Sequence, residues 1–134
     1  MSKVAVVYWS GTGNTQAMAE AIAAAIGAPL FTPAEFTPDM VKEYDAIAFG
    51  CADMGAEELE DGEFAPMFEA CKGELSGKKL SLFGSYGWGG EWLDTWKEDC
   101  EAAGATVVDT VKCLEAPDAD ALAACEALAK ALAE

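Results

Sequence analysis

Residues 3–15 read Lys-Val-Ala-Val-Val-Tyr-Trp-Ser-Gly-Thr-Gly-Asn-Thr, and this stretch decides the fold. Lys3–Trp9 is a continuous apolar run with Val6 and Val7 in tandem. Such a run suits a strand buried on both faces, the habit of parallel sheets covered by helices on either side. After it, apolar residues recur at Met18, Ile22 and Ile26, which is helical spacing, and Gly27 stops the helix. The joint between strand and helix is Ser10–Thr15. Gly11 and Gly13 let the backbone curl so that several N–H groups point inward. Ser10, Thr12, Asn14 and Thr15 add hydroxyl and amide donors, and the helix N-terminus adds partial positive charge. The sum is an anion cradle of phosphate size. It lacks the Gly-Lys-Ser/Thr ending of a nucleotide P-loop, and no GxGxxG dinucleotide fingerprint occurs. The plainer alternative is an N-capped helix after a tight turn.

Working outward, the same alternation repeats. Pro29–Thr32 reads as a weak second strand, Pro38–Glu43 as a short helix and Ala46–Cys51 as a third strand. Ala52–Glu63 is a long loop, and Phe64–Cys71 a helix with Pro66 in its first turn. Leu80–Ser85 is a fourth strand. Glu91–Ala103 is a helix carrying Trp92, Trp96 and Cys100 at steps of four, ended by Gly104. Thr106–Cys113 is a fifth strand. Asp118–Leu132 is a closing helix with Leu122, Cys125, Leu128 and Leu132 on one face. Strand and helix alternate five times with short connections, so the class is α/β with a parallel sheet and helices on both faces. Ligands of such sheets bind outside the carboxyl ends of the strands, where the strand order reverses. Three loops of unusual composition leave those ends: Ser10–Thr15, Ala52–Glu63 and Tyr86–Gly90.

Composition narrows the function. The 134 residues make one domain, 1–134, and a hydrophobic fraction of 52% is enough for a core. No apolar run approaches the length of a spanning helix, and the N-terminus reads as a first strand rather than a signal peptide. Eight basic against 24 acidic residues give a net charge of −16. That charge repels nucleic acid and anionic membranes and favours partners with basic patches. With no histidine, Ser–His–Asp and Cys–His catalysis and His-ligated metals are excluded. The cysteines, Cys51, Cys71, Cys100, Cys113 and Cys125, are odd in number, and no two have CxxC spacing. They read as reduced, small hydrophobes rather than a disulfide or zinc framework.

Trp9-Ser-Gly-Thr-Gly-Asn-Thr15 resembles the FMN phosphate loop of flavodoxins, particularly the short-chain flavodoxins of anaerobic bacteria. Two further segments resemble the family at the expected places: Gly50-Cys-Ala-Asp-Met-Gly-Ala-Glu57, followed by Glu58-Leu-Glu-Asp61, and Phe83-Gly-Ser-Tyr-Gly-Trp88. The resemblance covers essentially the whole chain. It implies a flavodoxin-like doubly wound sheet of five parallel strands in the order 2-1-3-4-5. It also implies a phosphate site of Ser10, Gly11, Thr12, Gly13, Asn14 and Thr15, with Met54 and Trp88 covering the two faces of the isoalloxazine ring. Gly55 would face the ring nitrogen that gains a proton on reduction, through a peptide that flips in the turn Met54–Glu57. Glu57 would accept from the pyrimidine-side N–H. Ala52, Asp53 and Ala56 complete that loop, while Ser85, Tyr86 and Gly87 would line the ring and ribityl region. A planar aromatic ring is well covered by an indole face and a polarizable thioether.

The chain departs from the family pattern in three ways. Asp53 stands where small residues are usual and Ala52 where serine or proline is common. The loop Gly87–Trp92 is one residue short, and the segment after the first helix is brief. The resemblance implies a low-potential one-electron carrier, cytoplasmic and monomeric, that shuttles electrons between redox enzymes such as reductases and dehydrogenases through a non-covalently bound FMN. It is not an enzyme, since the flavin does the chemistry. Two rivals remain at this point: an FMN-dependent quinone or NAD(P)H reductase, and a flavodoxin-like activator dedicated to one enzyme. A signalling receiver domain shares the fold but needs an acidic cluster where Trp9-Ser10 stands.

Overall fold

A computed structural model describes residues 3–10, 13–52, 62–86 and 92–133. The strands are β1 (Val4–Trp9), β2 (Leu30–Phe31), β3 (Ala46–Cys51), β4 (Lys79–Tyr86) and β5 (Thr106–Leu114). The helices are α1 (Asn14–Ile26), α2 (Pro38–Val41), α3 (Phe64–Cys71), α4 (Trp92–Ala102) and α5 (Ala119–Ala133). All strand pairs are parallel and the order is β2-β1-β3-β4-β5, as expected.

The tandem valines of β1 are explained by two cores, one on each face of the sheet. Ala5 and Val7 face a cluster that holds Phe49, Phe64, Phe68 and Trp96, between the sheet and α3 and α4. Val4 and Val6 face Met18, Ile22, Leu128 and Leu132, between the sheet and α1 and α5. Both faces are covered, so both parities of the strand must be apolar. The first core is aromatic. Phe49 meets Phe68 edge-on at 5.5 Å and Phe64 meets Trp96 edge-on at 5.4 Å. Contacts of this geometry add about 0.5–1.5 kcal/mol each beyond area burial.

Several boundaries differ from expectation by a residue or two, and α2 ends at Val41 rather than Glu43. A 3₁₀ turn at Pro33–Glu35 was not foreseen. Its signal is Thr32-Pro-Ala-Glu35, a capping box in which Thr32 N–H donates to Glu35 Oε1 at 2.8 Å. That bond holds the Glu35 carboxyl below its ordinary pKa. Leu122, expected on the buried face of α5, is only half-buried, while Ala129 is fully buried. The β4–β5 ladder slips by one residue, from Leu80 opposite Val107 to Ser81 opposite Asp109. The extra residue, Val108, is exposed. All five cysteines are free thiols, as expected, and four are buried.

Candidate functional site

The carboxyl ends of β1, β3 and β4 lie side by side, because β1 pairs with β3 and β3 with β4. The strand order reverses beside β1, so the chain leaves these ends in opposite directions and opens a crevice between them.

The β1–α1 joint runs from Ser10 to a glycine-capped helix. Ser10 Oγ accepts the N–H of Gly13 at 3.0 Å and closes the loop on itself. Gly13, the N-cap of α1, sits at φ 94°, a left-handed conformation that glycine adopts without steric cost. Its carbonyl accepts Ala17 N–H at 3.0 Å and starts the helical ladder. Asn14 is the first helical residue, and the first turn of α1 contains no acidic side chain. Glycine at the cap brings no side chain to the first turn. The positive end of a helix of 13 residues is thus left for an outside anion.

Thr15 and Ser85, 70 positions apart, meet beneath that joint. Thr15 is fully buried and Ser85 is nearly so. Their hydroxyl oxygens are 3.3 Å apart, and Ser85 N–H donates to Thr15 Oγ1 at 3.3 Å. The β3–β4 register ends at Gly50 opposite Phe83, and two residues later the backbone of β4 turns to Thr15 instead. Thr15 Oγ1 accepts from the Ser85 N–H, and between the two hydroxyls either can donate, so where Ser85 Oγ–H is the donor the Thr15 proton is left for another acceptor.

Tyr86 ends β4, half-buried. Its carbonyl accepts Glu115 N–H at 2.7 Å, and the Lys112 ammonium lies 5.9 Å from its ring centroid. Glu115 holds a left-handed φ of 57°. Ala52, directly after β3, is half-buried. The site residues Ser10, Gly13, Asn14, Thr15, Ala52, Ser85 and Tyr86 are therefore gathered at one end of the sheet. Gly11, Thr12, Asp53, Met54, Gly55, Ala56, Glu57, Gly87 and Trp88 lie outside the described residues.

Sequence reasoning missed two supports of this end. Trp92 was assigned only to the helix face it shares with Trp96 and Cys100, yet its indole N–H donates to the Cys51 carbonyl at 3.2 Å. Glu115 carried no sequence signal, since neither glycine nor asparagine marks its left-handed backbone.

Burial pushes the Cys71 thiol up to about 11 and the Cys100 and Cys125 thiols up to about 12, so they stay protonated and unreactive. Among the described residues no three His, Cys, Asp or Glu side chains gather to hold a metal. A groove at the other end of the sheet, lined by Lys3, Ile26, Pro29 and Tyr44, is mainly apolar.

FMN matches this donor set. A phosphate dianion suits hydroxyl and backbone donors, and the first turn of α1 adds no acidic side chain to them.

The sequence profile of the flavodoxin family matches residues 6–130. The flavodoxin of Megasphaera elsdenii is 50% identical over 121 residues, covering 86% of this chain and 88% of that protein. The flavodoxin of Clostridium beijerinckii is 44% identical over 111 residues, covering 78% of this chain and 80% of its own length. The solution structure of two-electron reduced Megasphaera elsdenii flavodoxin superposes with a TM-score of 0.86 at 47% identity, covering 97% of this chain and 98% of that one. With this sheet order and these relatives, the chain belongs to the flavodoxin family, whose members bind FMN and carry electrons.

Proposed function

We propose that this chain is a low-potential one-electron carrier that works through a non-covalently bound FMN and has no substrate of its own. The observation that carries the reading is the acid-free N-terminus of α1, set over the buried Thr15–Ser85 hydroxyl pair where the strand order reverses. In this reading Ser10, Gly11, Thr12, Gly13, Asn14 and Thr15 hold the phosphate. Ala52, Asp53, Met54, Gly55, Ala56 and Glu57 meet the ring from one loop, and Ser85, Tyr86, Gly87 and Trp88 from the other. FMN, when bound, supplies the one-electron chemistry. The chain's own residues anchor the phosphate, orient the ring and keep water from its faces.

The partners in this reading are redox enzymes with basic docking patches, met by a monomer in the cytoplasm. The net charge of −16 supports electrostatically steered encounters, which slow as salt rises. Among the described residues no helix is long and apolar enough to cross a membrane.

An absorption spectrum of the purified protein tests the cofactor. The expected result is an oxidised flavin spectrum, with FMN released on denaturation. A protein that neither carries FMN nor takes it up as apoprotein refutes the reading. Steady NAD(P)H oxidation by the protein alone would refute the carrier role in favour of a reductase.

A further inference from the structure

Trp92 opens α4 and is 1% exposed. Its indole N–H donates at 3.2 Å to the carbonyl of Cys51, the last residue of β3. Its ring lies 5.7 Å from the ring of Tyr86, the last residue of β4, tilted by 48°. One side chain therefore touches both strand ends from which the segments 52–63 and 87–91 leave the sheet. Nearby packing makes room for it. A Cβ on Gly84 would overlap the Cys51 carbonyl oxygen and come within 2.9 Å of Trp92 Cζ2, so glycine is what lets indole and carbonyl meet there.

Burial alone does not account for the bond. Trp96, one turn further along α4, is also buried, and its indole nitrogen has no hydrogen-bond partner among the described residues. This core tolerates an unpaired indole, while Trp92 is paired with one particular carbonyl. That carbonyl belongs to the Cys51–Ala52 peptide, and a peptide is planar. Holding its oxygen also fixes where Ala52 N–H points and where the Ala52 Cα is placed, the point from which the chain continues.

We propose that Trp92 is a positioning residue for the flavin site, setting through the Cys51 carbonyl and the Tyr86 ring how the two ring-binding loops leave the sheet. The proposal rests on the reading of residues 53–57 and 87–88 as those loops. Trp92 itself is placed behind the site as a support.

The test compares wild type, Trp92→Phe and Trp92→His. Both variants replace the fused indole by a single ring, six-membered in phenylalanine and five-membered in histidine. Only histidine keeps an N–H at the ring position of Nε1. The apoproteins are titrated with FMN and unfolded in urea, and the two-electron midpoint potentials of the loaded proteins are measured at one pH. Trp92→His should lose more apoprotein stability than Trp92→Phe, since its ring is smaller and polar, so a gain in FMN binding by histidine runs opposite to the loss of stability. Trp92→Phe should weaken FMN binding at least fivefold, and Trp92→His should recover at least half of that loss on a logarithmic scale. Binding of oxidised and reduced FMN should weaken unequally in Trp92→Phe. A threefold inequality appears as about 14 mV, at 29.6 mV per tenfold for two electrons.

Equal FMN affinity in the two variants, or a Trp92→Phe protein with wild-type affinity and potential, overturns the proposal. A second measurement needs no substitution. If the Trp92–Cys51 bond is coupled to the loops, FMN must in turn protect it. Exchange of the Trp92 indole hydrogen should slow on FMN binding at least tenfold more than that of Trp96, and equal slowing overturns the proposal. Wild-type apoprotein that takes up no FMN refutes the functional reading itself, and this inference with it.

Discussion

Thr15→Val removes one oxygen from a fully buried side chain and leaves its shape almost unchanged. In the native protein that oxygen lies 3.3 Å from both Ser85 Oγ and Ser85 N. Both distances are at the long end for hydrogen bonds. A buried N–H left without a partner costs about 1–3 kcal/mol. The length of these bonds places Thr15→Val in the lower half of that range, about 1–2 kcal/mol of apoprotein stability. The effect on FMN is separate. If the Thr15 proton is donated to the phosphate, a charge-assisted bond of about 1.5–3 kcal/mol is lost, which weakens FMN roughly ten- to a hundredfold. Thr15→Ser is the control, since it keeps the hydroxyl and deletes a methyl at about 1 kcal/mol. The assays are urea unfolding of the apoproteins, followed by far-UV circular dichroism, and titration of flavin fluorescence. The two variants should be similarly destabilised, with only Thr15→Val weak in FMN binding. If Thr15→Val binds FMN as tightly as Thr15→Ser, the hydroxyl does not reach the phosphate. If Thr15→Val is as stable as wild type, the Ser85 contacts carry no weight.

Trp88→Ala should weaken FMN binding by the aromatic contact, about 0.5–1.5 kcal/mol, plus the burial lost with the ring; an unchanged dissociation constant removes Trp88 from the ring covers. If a peptide of Met54-Gly55-Ala56-Glu57 flips on reduction, as the flavodoxin resemblance implies, the flipped type II turn requires positive φ at Ala56, which costs a non-glycine residue about 1–2 kcal/mol. Ala56→Gly relieves that against about 0.5–1 kcal/mol of added chain freedom. The first one-electron potential should therefore rise by a few tens of millivolts, on the order of 59 mV per tenfold, and a redox titration finding it unchanged or lower contradicts the strain argument. The buried thiols give a pH dependence. Cys71, Cys100 and Cys125 keep their protons up to about 11, 12 and 12, whereas unfolded thiols release theirs near about 8.5. Above that pH the native state binds more protons, so stability falls as pH rises, by up to about 1.4 kcal/mol per pH unit per thiol, with no effect below pH ~8. Urea unfolding at pH 8 and pH 10 should show this fall, and Cys100→Ala should reduce the slope by about one thiol's share.

The parts of the fold that could be read from the sequence were those in which one physical demand dominates. β3 and α3 have the expected ends, Ala46–Cys51 and Phe64–Cys71, because an apolar run and an apolar period are each bounded by polar or turn residues. The joint between β1 and α1 was legible because Gly13 and the Ser10 hydroxyl serve local backbone needs. The segment 28–45 was less legible. There β2 is two residues long, and a capping box at Thr32 takes the place of a periodic signal. The supports of the site were illegible for another reason. Trp92 serves the core and the Cys51 carbonyl at once, and helical spacing reports only the first. Contacts between residues 70 apart, such as Thr15 with Ser85, depend on strand order rather than on any local pattern.

The slipped ladder of β5 bears on how the protein behaves at high concentration. The two edges of the sheet are unequal: β2 offers two residues to a stranger, β5 nine. A straight nine-residue edge is a template on which another copy can add a strand. The extra residue at Val108 breaks the spacing of that edge, and Asp109 and Lys112 place charges along it. A strand docking from outside would have to match an irregular row of donors and acceptors while burying those charges. Deleting Val108 would straighten the row. The physical cost of that deletion would appear as self-association on storage rather than as a lower unfolding temperature, with the net charge of −16 as the remaining barrier between copies.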